Sequence, residues 1–326
     1  MKPQNFSRFF HPLYVLITGV LGGGIVFSMF SPYLPLNCKE GAIPFFCVPE
    51  FFVVFFLMAI LWCMIAIFLV PGWGMFIWLF KRYVTEKDSP HRLQAVVQLL
   101  VAVIIIAVSS YVVFQALNQF NPDAQSRWNA GVPNGVKLII NINSASLLLV
   151  VLPYVLGMSL VNSVVREISS RLQDPNQFKK DLSFSFINDL LSYRKVLQIF
   201  LVISGALLSM IPLIVVALRS VLITIDSQLG KIYPVSIVIF EGLTFTLLLL
   251  FIYVPAYLEL SIVGQQLRDV LYPLNSLDDL KDTLEKRKTL DNLLQTEISL
   301  TTNLKSGILT LGPLVSSLLV LLGIKT

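Results

Sequence analysis

Long apolar runs separated by short polar segments dominate this chain. Runs at roughly 12–30, 51–80, 94–118, 138–164, 196–219 and 233–262 are each long enough to cross a bilayer core, which takes about 20 helical residues. The alternating pattern of a membrane barrel is absent, and an open strand leaves its backbone unsatisfied in lipid. The pattern therefore predicts an all-α fold, a polytopic helical membrane bundle of six transmembrane helices. A seventh apolar stretch, "GILTLGPLVSSLLVLLGI" (307–324), would be about 27 Å long as a helix and contains Gly312 and Pro313. It reads as a further span, a re-entrant loop or an apolar tail packed among the other helices.

Between these runs, "NSLDDLKDTLEKRKTLDNLLQTEISLTTNL" (275–304) is polar. Asn275 or Ser276 can cap a helix here, and Asp278 and Asp279 suit its first turn. Leu277, Leu280, Leu284, Leu294 and Ile298 recur at spacings of three and four for part of its length. The chain thus divides into a transmembrane bundle (1–273), a cytoplasmic amphipathic helix (274–304) and an apolar C-terminal segment (305–326). The mixed-charge inner loop 165–195 is a candidate dock for that helix, which could equally lie on the membrane, pair in an oligomer or simply connect.

Composition agrees: 56% of residues are hydrophobic and 13% charged, against about 25% charged in soluble domains. The net charge of +5 gives no reason to expect nucleic acid, because the basic residues sit at the ends of apolar runs. With the N-terminus inside, only Lys39, Arg127, Lys137, Arg219 and Lys231 of the 24 Lys and Arg residues fall outside. Lys325 is unassigned, and all the others are inside, as the positive-inside rule requires. Lys2 and Arg8 precede the first run as in a secretory signal, but no small-residue cleavage site follows, so it reads as an uncleaved span. No lipidation motif is visible.

That topology puts Cys38 and Cys47 in the first outside loop, where they are candidates for a small disulfide loop. The alternative is two packed thiols, the reading given to mid-span Cys63.

A shift of 102 residues lays Arg92 on Arg194, Pro153 on Pro255, and Arg166-Glu167 on Arg268-Asp269. This suggests tandem hairpins, 92–167 and 194–269, in one orientation, as in parallel-repeat transporters; coincidence between similar apolar helices is the alternative. Pro71, Pro153, Pro212 and Pro255 each remove a backbone donor inside a span. They are hinge candidates, with shape-fitting kinks the commoner case.

Candidate chemistry is sparse. Glu241 interrupts "SIVIFEGLTFTLLLLFIYVPAYLEL". A symmetric hairpin turning near "DSQLGK" (226–231) would bring it level with Arg219, giving either a structural ion pair or part of an ion or proton pathway. Gln115, Asn118, Gln119, Asn141 and Asn143 gather near the outer ends of the third and fourth spans. They serve as helix glue or line an outer vestibule. Gly19-x-x-x-Gly23 permits close helix approach within or between chains. With only His11 and His91, HExxH and bis-histidine haem ligation are excluded, and no Walker motif, G-x-S-x-G elbow or CxxC pair occurs. No metal or cofactor is expected. Glu241 and Glu259 would stand about 27 Å apart along one helix, too far to act on one bond, so no enzyme is expected either.

The segments "LEKRKTLDNLL" and "GPLVSSLLVLLGI" resemble the C-termini of some uncharacterised bacterial multi-pass proteins. The resemblance implies a bacterial inner (plasma) membrane origin and no particular activity. Two functions follow as expectations. One is transport, as an oligomeric channel, pore or small carrier. The other is a membrane anchor or effector subunit whose cytoplasmic helix 276–304 binds a protein partner.

Overall fold

In the computed structural model, residues 12–30, 48–85, 100, 134–172, 180–225, 234–274, 280–294 and 310–323 are described. Every element among them is a helix: α1 (Pro12–Phe30), α2 (Pro49–Thr85), α3 (Asn134–Leu172), α4 (Lys180–Ile225), α5 (Val235–Leu271), α6 (Leu280–Leu294) and α7 (Gly312–Gly323). Five of the six expected spans fall on α1 to α5. The one expected at 94–118 lies outside the described residues, apart from helical Leu100, and so do Gln115, Asn118, Gln119, Cys38 and Cys47. Four helices are long and apolar enough to cross a membrane: α2, α3, α4 and α5. The chain is therefore an integral membrane protein in character.

Helix ends follow local chemistry. Pro49 and Pro313 occupy first turns, where a missing N–H costs nothing. Pro234 is the extended N-cap of α5, and its carbonyl accepts from Ile237 N–H. Tyr272 ends that helix because Pro273 disfavours helical geometry before it.

Contacts along the helices fix their directions. Gly19 meets Ile67 and Gly22 meets Trp62, so α1 and α2 are antiparallel. An alanine at Gly22 would place Cβ 2.6 Å from the Trp62 carbonyl oxygen. Small residues here let two backbones approach within the chain, and the half-buried thiol of Cys63 donates to the Gly19 carbonyl at 3.1 Å. The core is built on α3. Tyr154 and Phe200 pack edge-to-face at 5.6 Å, and Gly157 leaves room for the Phe200 ring. Gly72 meets Tyr154, and Trp78, about two turns further along α2, meets Tyr193. Together these contacts set α4 antiparallel to α2 and α3, while α3 and α5 run parallel. Displaced by 102 residues, α3 would cover 236–274, close to the observed limits of α5.

Outward positions on α5 form one apolar stripe: Phe240, Leu243, Leu247, Phe251, Val254, Leu258 and Ile262. Their spacing of three and four keeps them on one helix face, as a lipid-facing surface requires.

All four prolines sit inside continuous helices. Each would orphan the carbonyl four residues earlier. Before Pro71 that carbonyl is Ile67, and Tyr14 Oη donates to it at 3.5 Å. Before Pro153 it is Leu149, and Trp73 Nε1 donates to it at 3.3 Å. An aromatic donor from a neighbouring helix thus serves the carbonyl that the missing N–H would leave unpaired at both prolines.

Candidate functional site: one groove between α4 and α5

The C-terminal part of the chain lies against both α4 and α5. At the C-terminal end of α5 and the N-terminal half of α4, α6 packs on the two helices. Its packed face is Arg287, Leu290, Asp291 and Leu294, with Leu290, Asp291 and Leu294 buried. The apolar stripe expected through Leu284 is corrected here: Leu284 is 48% exposed, and Leu290 takes its place. Charged side chains join this face to the end of α5. Arg268 Nη1 donates to Asp291 Oδ2 at 2.9 Å, and Arg268 also pairs with Asp269 Oδ1. Arg287 pairs with the same Asp269 oxygen and donates to the Tyr272 carbonyl at 2.9 Å. The order Asp291–Arg268–Asp269–Arg287 alternates in sign, so each charge is compensated by a neighbour. Nearby, Arg166 Nε lies 3.5 Å from Glu259 Oε2, and Ser169 donates to Gln266 at 2.8 Å, tying α3 to α5.

Arg194 on α4 is different. It is 8% exposed, and its Nη1 donates to the Leu294 carbonyl at the end of α6. Its guanidinium carbon sits 5.5 Å from the Tyr257 ring centroid, a cation–π distance. Tyr257 in turn stacks on Tyr253 at 5.8 Å. The Nε of Arg194 is buried without a partner. A small cleft is lined by this side chain with Leu190, Leu191, Leu260, Gly264 and Leu294. Sequence reasoning met Arg194 only as a repeat mark, because its partner Leu294 is 100 positions away.

Towards the N-terminal half of α5 and the C-terminal half of α4, α7 lies against both helices. Gly312 meets Ser209 on α4, while Gly242 on α5 meets Ser317 and the Pro313 carbonyl. The Leu314 N–H donates to Thr246 Oγ1 at 3.1 Å, so a side chain of α5 satisfies an otherwise orphan amide in the first turn of α7. Thr310, Ser316 and Ser317 are buried in this seam. The C-terminal apolar segment is thus packed among other helices, and at 12 residues α7 is about 18 Å long.

Glu241, 7% exposed, lies beside this seam. The α7 contacts and the Arg194–Tyr257 contact set it level with about residues 210–212 of α4. Arg219 stands roughly 10–13 Å further out along the helix. On α3, the pairings at Glu259 and Gln266 put Glu241 level with residues 144–148, just inward of Asn141 and Asn143, which lie in the first turns of that helix.

One groove therefore holds a buried carboxylate beside the α7 seam and a buried guanidinium near the end of α6. No protein family, curated protein or solved structure matches the chain.

Proposed function

We propose that this chain is a transport-class membrane protein, a channel or small carrier acting as an oligomer in a bacterial inner membrane with its N-terminus cytoplasmic. The observation that carries the reading is Glu241. A carboxylate buried inside a membrane-length helix is expensive and is by default a functional residue. Its register favours a pathway role over a pair with Arg219. Six spans fit the directions of the helices, since parallel α2 and α3 need a return crossing between them. Pro212, level with Glu241, is the bend best placed to flex. The polar residues of the third and fourth spans, Gln115, Asn118, Asn141 and Asn143, would line the outer approach. No enzymatic step belongs to this reading, as Glu259 and Asp269 are each held by arginines.

The test is conductance of the purified protein in a planar bilayer, with Glu241→Gln as the comparison. Discrete currents altered by the substitution support a pore lined by Glu241. Currents identical in both proteins remove Glu241 from the pathway.

A second reading, an anchor whose cytoplasmic helix binds a protein, draws on the outer face of α6, where Leu284 and Leu293 are exposed. Truncation after Pro273 would abolish partner capture under this reading, and equal recovery would count against it.

A further inference from the structure

Arg194 is a buried cation that meets a neutral oxygen. Among the described residues its partners are the Leu294 carbonyl and Tyr257, which offers both its ring face and a side-chain hydrogen bond, with Tyr253 close by. Burying an arginine near a membrane core without a carboxylate is costly, and here its Nε is left unpaired as well. Packing alone would be served better by an apolar side chain.

We infer that Arg194 anchors an oxyanion site at the α6 end of the α4–α5 groove, and that the Leu294 carbonyl of α6 occupies it as a tethered stand-in. The chemistry of both partners supports this. The carbonyls at a helix C-terminus carry the negative end of the helix dipole and lack intrahelical partners, so they are the nearest thing to an anion that a neutral backbone offers. A guanidinium presents five donors in a planar fork and is matched best by two oxygens of one carboxylate or phosphate. The Leu294 carbonyl and Tyr257 satisfy part of that fork and leave Nε idle. A free oxyanion satisfies more of it.

The clasp at Arg268, Asp291, Asp269 and Arg287 keeps the stand-in in place, and Leu294 closes the cleft in which Arg194 sits. An incoming oxyanion must therefore displace the end of α6, and the apparent affinity is the intrinsic affinity multiplied by the small fraction of molecules in which α6 is released. Binding and α6 release are two views of one equilibrium. The inference rests on the docking of α6 and not on the transport reading, so a silent bilayer leaves it standing.

The experiment uses the full chain in detergent with inorganic phosphate as the probe, binding followed by calorimetry and α6 by amide exchange over 280–294. Phosphate should speed that exchange. Asp291→Asn, which loosens the clasp without touching Arg194, should tighten phosphate binding by about tenfold, as loss of one charge-assisted hydrogen bond implies. Arg194→Gln should abolish binding in both backgrounds, while Arg194→Lys retains a weaker response. Binding that persists in Arg194→Gln overturns the proposal, as does no binding in Asp291→Asn. Equal loss in the Gln and Lys variants would mark a packing role and overturn it too. Repeating the titration with phosphatidic acid micelles assigns the source: displacement of phosphate makes the oxyanion a lipid headgroup, and no displacement makes it a soluble ion.

Discussion

Arg268 and Asp291 meet at 2.9 Å across the junction between a membrane-length helix and a polar one. The Asp291 side chain is 7% exposed, so this pair is shielded from solvent ions more than the exposed Lys286–Asp282 pair on the far face of α6. Asp291→Ala should weaken α6 docking by about 1–2 kcal/mol, read as faster amide exchange over 280–294. Lys286→Ala should change it little, because an exposed pair contributes about 0–1 kcal/mol. Equal effects would mean that the clasp is ornamental.

Trp73 and Pro153 form a second pair, linked through the Leu149 carbonyl. Trp73→Phe should lower thermal stability in detergent by about 1 kcal/mol beyond its packing cost, since the carbonyl loses its donor. In a Pro153→Ala background the restored backbone N–H serves that carbonyl, and the cost of Trp73→Phe should shrink. Additive effects in this cycle would show that the indole donor is not compensating the proline.

Gly242 faces α7 with no room for a methyl group: an added Cβ would stand 2.6 Å from the Pro313 carbonyl oxygen and closer still to Ser317. Gly242→Ala should destabilise the protein by about 1–3 kcal/mol through overpacking. Ser317→Gly in the same chain should recover part of the loss, but not all, because the Pro313 backbone remains. Full tolerance of the alanine would mean that α7 does not hold this position in solution.

Glu241→Gln distinguishes a pathway residue from a structural ion. The substitution preserves shape and removes a buried carboxyl group, which is costly to ionise in this setting. The variant should therefore melt no lower than the parent while its conductance changes. A lower melting temperature with unchanged conductance would return Glu241 to a structural role.

Hydropathy located the membrane-crossing stretches but not the full helices. α4 begins at Lys180, well before the apolar run expected from 196, because "KDLSFSFINDLLSYRK" carries charges that lower its hydropathy. The same segment buries Leu190 and Tyr193, with Phe186 and Ile187 packed against the core, at spacings that suit a helix continuing beyond the apolar stretch. α6 was legible as a helix, but its dock was named only in part: Leu190, Leu191 and Arg194 lie within 165–195, whereas Arg268, Asp269 and Tyr272 of α5 lie outside it. Which residues form the dock was not legible. Asp291 and Arg268 are recognisable as partners only once α5 and α6 have folded back on each other. The stagger between Glu241 and Arg219 was likewise hidden, because it depends on the placement of α7, far away in sequence.

That placement has a consequence for biogenesis. Residues 310–317 follow every other described helix in order of synthesis, yet Thr310 and Ser317 are among the most buried polar residues. Until they emerge from the ribosome, Gly242 and Thr246 on α5 and Ser209 on α4 face an unfilled seam. The α7 end of the α4–α5 groove is therefore completed last, and a ribosome that stalls before residue 310 would release helices that pack on one another but leave that seam open.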